Sequence, residues 1–67
     1  MTDDERQGFR ALFDATMRFM QHGEAHIAAL ECMPSNDVRD ALLQSTRAHL
    51  IELRKQADAL EKLGLFQ

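Results

Sequence analysis

The sequence predicts an all-α protein: an antiparallel two-helix hairpin that pairs with a second copy into a four-helix bundle. Three observations predict it. Two long stretches repeat apolar residues at helical spacing. A single proline, Pro34, divides them almost in half. Each stretch begins with residues that cap helices, and the second ends in a glycine.

The first helix is expected over about residues 3–32. Thr2 followed by Glu5 forms a capping box, and Asp3 and Asp4 stand where the helix dipole favours acids. Phe9, Leu12, Phe13, Phe19, Met20, Ile27 and Leu30 fall on one wide face, with Thr16 and Gly23 filling the same stripe. Gly8 and Gly23 each cost about 1 kcal/mol against alanine in a helix interior. Gly23 is therefore read as a point of close approach or slight bending.

The turn is expected at residues 33–36, because Pro34 disfavours helix at Met33. Ser35, Asn36 and Asp37 all suit a cap or first turn. The second helix runs over about residues 36–63. Its stripe is Val38, Leu42, Leu50, Leu53, Ala57 and Leu60, with Thr46 and His49 on the same side. Gly64 is placed at C′ of a Schellman cap, Leu65 at C″ packing back on Leu60, and Lys62 complements the helix dipole. Residues 64–67 form a short apolar tail.

Helices of about 28 residues, or roughly 42 Å, joined by a short loop lie antiparallel. A chain of 67 residues is one small domain. Such a chain buries only about 60% of its unfolded surface. Below roughly 70–80 residues, folds usually need a disulfide, a metal or a partner subunit. One cysteine, Cys32, excludes an internal disulfide. A homodimer follows, with Phe9, Phe13, Met20, Ile27, Leu42, Leu53 and Leu60 as its expected core. Cysteine usage, the lack of a signal-peptide pattern and the lack of a long apolar run point to a cytoplasmic protein without a membrane span.

Composition is 45% hydrophobic and 28% charged, with a net charge of −3. That balance argues against non-specific nucleic-acid binding, which relies on neutralising phosphates. No nucleophile motif or phosphate loop is present, so no enzyme activity and no cofactor are expected. His22 and His26 have the i, i+4 spacing of a helical metal site, but zinc wants three or four ligands. Folding the chain at Pro34 puts Arg18 opposite His49. The three histidines are then not expected to converge, and a structural role is the plainer reading. Nothing basic adjoins Cys32, so it reads as an ordinary thiol.

The remaining candidates are surface residues. Met17 falls outside the apolar stripe and Phe19 near its edge. Ile51 points away from the Leu42–Leu53–Leu60 stripe, among Arg47, Lys55 and Lys62, with Arg54 alongside. Such a basic stripe is most often a solvated face, and Asp58 within it favours that reading. Phe66 in the tail is a further exposed apolar element. Met17, Phe19, Arg47, Ile51, Lys55 and Phe66 are accordingly the expected partner-binding residues.

In length, chain path and dimer logic the chain resembles the Rop family of plasmid copy-number proteins, which are two-helix RNA-binding dimers. It is also similar in size and helical character to phage-encoded anti-activators of quorum-sensing regulators, and to small secretion chaperones. The resemblance is architectural and assigns no site residues. It implies a regulator that inhibits a transcription factor by occupying its DNA-binding or other functional surface. An RNA- or DNA-binding dimer and an assembly chaperone are the alternatives. A basic target surface would be steered by the acidic residues near the helix ends.

Overall fold

A computed structural model describes residues 1–66. Two helices, α1 (Asp3–Glu31) and α2 (Asp37–Glu61), pack against each other, with no strand among the described residues. The hairpin is a rod, 49 Å long and about 15 Å across.

Both helix starts are capped by the chemistry their sequences encode. The Glu5 amide donates to Thr2 Oγ1 at 3.2 Å, and the Glu5 carboxylate accepts from the Thr2 amide. At α2 the cap is Asn36, whose Oδ1 accepts from the Arg39 amide at 2.8 Å. Ser35 lies outside the cap and donates to the Asp40 carboxylate.

The inward positions of α1 follow a heptad pattern from Arg6 through Phe13, Thr16, Met20 and Gly23 to Ile27 and Leu30; all are buried or half-buried. On α2 the pattern is Arg39, Leu43, Thr46, Leu50, Leu53, Ala57 and Leu60. Alternating steps of three and four give a left-handed, coiled-coil-like seam. Met20, Leu53 and Ala57 form its centre, with Phe13 and Leu50 packed against them.

The start of α2 departs from the expected stripe. Val38 and Leu42 are 70% and 52% exposed, while Leu43 is buried. The physical reason is Arg39. This residue takes the first inward position, and its Nε donates to Leu30 O at 2.9 Å. A charged residue at an inward position conceals the register from a search for apolar spacing. Arg6 does the same at the other end, donating through Nη1 to Gly64 O at 3.2 Å. Each helix thus offers its first inward arginine to a carbonyl at or just beyond the C-terminal end of the other helix, where the dipole favours a cation.

The C-terminus is also different from expectation. Helix α2 ends at Glu61 with Lys62 as its cap. The Leu63 and Gly64 amides donate to Leu60 O and Glu61 O, each at 3.1 Å. These are tight i→i−3 turns, not a Schellman pair, so Gly64 stands at C″. It does adopt the left-handed backbone expected of it, with φ 70°. That turn sends Leu65 inward to 1% exposure. Phe66 packs its ring edge on Phe13 with centroids 5.0 Å apart, and Arg10 stacks over Phe66. The tail closes the open end of the hairpin.

Thr16 is fully buried. Its hydroxyl donates to Leu12 O and accepts from Gln56 Nε2, both at 2.7 Å. The polar pair satisfies itself and ties α1 to α2. The two central glycines differ. A Cβ on Gly23 would lie 2.7 Å from Leu50 Cδ2, whereas one on Gly8 would meet nothing within 4 Å. Gly8→Ala is therefore expected to raise stability by about 0.5–1 kcal/mol, an increase of a few degrees in Tm by thermal circular dichroism.

Candidate functional site

The register between the helices decides which side chains meet. Gly23 lies against Leu50, and Thr16 bonds Gln56. The chain therefore folds about a point near residue 36, roughly half a helical turn beyond Pro34. The residue across from His49 is then Gly23, not Arg18.

This shift places the three histidines along one side of the hairpin. His22, His26 and His49 line one shallow groove, together with Phe19, Gly23 and Thr46. The groove continues past His26, Ala29, Leu30 and Leu42. From there it runs to Met33 and Val38 at the turn. Among the described residues, no three His, Cys, Asp or Glu side chains stand close enough to hold a metal ion. The histidines share a groove without forming a coordination shell.

The groove is apolar along most of its length. Phe19, Leu42, Met33 and Val38 are each at least half exposed. Asp37 and Arg39 supply charge only at the turn end. Met33 and Val38 were not among the expected site residues. A heptad step from Phe19 to His26 to Met33 was the available signal, hidden because one member is a histidine.

The opposite flank is chemically distinct. Ile51 sits in a shallow depression with Arg47, Gln44, Ala48 and Leu43. Met17 belongs to this flank. It lies about 160° around α1 from Phe19, at 100° per residue. Glu31, two heptads further along, bonds Arg47 across the helices at 3.2 Å. Met17 and Phe19, neighbours in sequence, therefore serve different surfaces.

The remaining expected residues divide as follows. Lys55 is exposed and paired with Glu52 at 3.3 Å. Phe66 is about half exposed but engaged with Phe13 and Arg10 of its own chain. Of the expected dimer core, Met20, Leu53 and Leu60 are already buried within one hairpin, and Phe13 and Ile27 are half-buried. Phe9 and Leu42 are exposed. Cys32 is exposed beside the turn, where its amide closes α1.

Among the described residues, Asp40 carries a carboxylate with a clear electrostatic signature. The Arg39 guanidinium, bonded to it at 2.9 Å, holds it below the ordinary value of 3.8, with burial opposing and Ser35 assisting. A depressed carboxylate stabilises the fold above its unfolded pKa and loses that contribution as pH falls through its folded pKa. Asp40 is solvent-exposed, so the effect is small. Asp40→Asn should lower Tm slightly at pH 7, and the difference should shrink as pH falls below the ordinary carboxylate value of 3.8 and through the lowered folded value.

Comparison with protein families, curated proteins and solved structures finds no match. The functional reading is built from the geometry above.

Proposed function

We propose that this chain is a small protein-binding regulator that acts by occupancy. It works as a homodimer of hairpins that covers a functional surface of a target protein, in the manner of an anti-activator covering the DNA-binding region of a transcription factor. One observation carries this reading. The rod presents apolar side chains on both of its long sides: Phe19, Leu42 and Val38 along one, and Met17 and Ile51 on the other. A small rod can then use one side for its own copy and the other for a target. Exposed apolar anchors with a charged rim are the anatomy of a protein interface.

The pairing of the basic residues favours a protein target over nucleic acid. Arg47 is bonded to Glu31 and Lys55 to Glu52. A phosphate backbone would have to displace these carboxylates, and the chain's net charge of −3 works against it. The target-contacting set is Ile51, Met17, Arg47 and Lys55.

The test is affinity capture from the native host, repeated after nuclease treatment, followed by reconstitution with the purified target. One protein recovered in stoichiometric amount, unaffected by nuclease, is expected. Ile51→Glu should then weaken binding by at least tenfold and leave the dimer intact. Recovery of nucleic acid alone would refute the proposal.

A further inference from the structure

The two ends of the rod are held together by different means. At the turn end the chain itself joins α1 to α2, and Arg39 Nε bonds Leu30 O at 2.9 Å. At the other end the helices have no covalent connection. There the chain beyond α2 crosses back to α1, and three residues of α1 receive it. Arg6 Nη1 donates to Gly64 O at 3.2 Å, Phe13 meets the edge of the Phe66 ring with centroids 5.0 Å apart, and the Arg10 guanidinium stands 5.4 Å from the centre of the same ring. Steps of four and three put Arg6, Arg10 and Phe13 on one face of α1. Leu65, between the two attachment points, is 1% exposed.

Each attachment uses a side chain on at least one partner. Among the described residues, the last backbone bond of the chain runs from the Gly64 amide to Glu61 O. Gly64 itself has φ 70°, and glycine moves between right- and left-handed backbone at little cost. Rotation at Gly64 therefore lifts Leu65 and Phe66 off α1 and leaves the hydrogen bonds of both helices in place. Release gives up one buried leucine, an aromatic edge, a cation–π contact and one hydrogen bond. Unfolding of the hairpin gives up all of these and the central seam of Met20, Leu53 and Ala57 as well. Release is the smaller loss, and a segment whose opening costs less than global unfolding opens separately.

We infer that residues 64–66 form a clasp that opens as a unit about Gly64 while the two helices stay paired, uncovering the apolar end of the seam at Phe13. The clasp fills a site on α1 with the chain's own Leu65 and Phe66, and so hides that site while it is closed. With the clasp open, Phe13 loses its aromatic partner, Arg6 loses its carbonyl and Arg10 loses its ring. The end of the rod then presents an apolar surface beside two released guanidinium groups. This device belongs to the single hairpin and stands apart from the dimer and target readings above.

Methionine oxidation by hydrogen peroxide tests this, because a buried thioether reacts when an opening exposes it. Leu65→Met keeps the volume of the side chain and puts a thioether in the clasp. Met20, 9% exposed, reports on the central seam. Cys32→Ser removes the competing thiol. Initial rates at each position are read by mass spectrometry after digestion, with circular dichroism confirming helicity. The urea dependence of an opening scales with the surface it exposes. Over the urea range in which the hairpin stays folded, oxidation at Met20 should rise about tenfold or more, and at position 65 less than about twofold. Adding Leu43→Ala, which removes a buried side chain near the turn, should raise the rate at Met20 about tenfold or more and leave position 65 within about twofold. If Leu43→Ala does not fold, the urea series alone decides. Equal responses at the two positions would mean that clasp and seam open together, and would overturn the inference. So would oxidation at position 65, without urea, as fast as at the half-exposed Met33, because no closed clasp would then exist.

Discussion

Leu65→Ala is expected to cause the largest loss of stability of any single truncation outside the central seam. Leu65 is 1% exposed and lies three residues beyond the α2 cap. Deleting a fully buried leucine side chain costs about 2–5 kcal/mol. A chain of this size has a total stability of roughly 3–10 kcal/mol, so the loss is a large share of the whole. The residues on either side amplify the dependence. Gly64 O holds Arg6, and the Phe66 ring rests on Phe13 and under Arg10. If Leu65 no longer anchors the tail, these contacts are weakened together. Thermal unfolding should show Tm lowered by 10 °C or more, using about 4–8 °C per kcal/mol for a domain of this size. Phe66→Ala should cost less, about 1 kcal/mol, because its ring is half exposed and contributes mainly an aromatic edge and a cation–π contact. Equal losses in the two variants would show that the tail matters only as a unit.

Gly23→Leu carries the second large effect, through overpacking. A Cβ at this position would stand 2.7 Å from Leu50 Cδ2 and 3.1 Å from Leu50 Cγ. Alanine introduces two opposing terms. It gains about 1 kcal/mol of helix propensity, and it requires Leu50 to give way. Leu50 meets the new atom with the end of a flexible side chain, so the net change for Gly23→Ala should be within about 1 kcal/mol of zero. Leucine adds three further carbons to the same gap. Either the helices separate or Leu50 leaves the seam, and the expected cost is about 2–3 kcal/mol. Chemical denaturation of the three proteins separates the cases: Gly8→Ala more stable, Gly23→Ala near wild type, Gly23→Leu clearly destabilised. A Gly23→Leu protein as stable as wild type would show that the helices are not closely apposed there.

Some residues can be assigned from local signals and others cannot. Thr2 with Glu5 specifies a capping box through four consecutive residues, and the structure forms it. Asn36 caps α2 because Pro34 ends the preceding helix and an amide side chain reaches the first free backbone donors. Gly23 stood out because a glycine in the middle of a long amphipathic helix needs a reason, and close approach is that reason. Arg39 and Arg6 gave no such signal. An arginine inside a seam is read as a surface residue until the carbonyl it satisfies is seen, and those carbonyls belong to residues 9 and 58 positions away. The inward packing of Leu65 is readable from a glycine placed after the last helical turn, whereas the seating of Phe66 on Phe13 depends on the Gly64 turn directing the chain back over α1.

The candidate site was legible in its members but not in its grouping. Met17 and Ile51 are recognisable by spacing as apolar residues outside the core stripe, and Phe19 as one near its edge. Their division between two flanks depends on which side of each helix faces the other. His22 and His26 could be paired from their spacing alone. Their sharing a groove with His49 could not, because moving the point where the chain folds moves the opposite residue by twice as much, here from Arg18 to Gly23, more than a full helical turn.

The sequence by itself determined the two helices, their capped starts, the break at Pro34 and the need for a small residue at Gly23. These follow from backbone preferences and from periodicity within a single helix, both of which act over a few residues. Only the tertiary structure decided the register of α1 on α2, the inward turn of Leu43 in place of Leu42, the seating of Phe66 on Phe13 and the placing of three histidines along one groove. Register is set by contacts between residues far apart in the chain: Gly23 on Leu50, Thr16 on Gln56, and an arginine at each end of the rod. Helical periodicity repeats every turn and is almost unchanged by sliding one helix along the other, so it leaves that choice to packing.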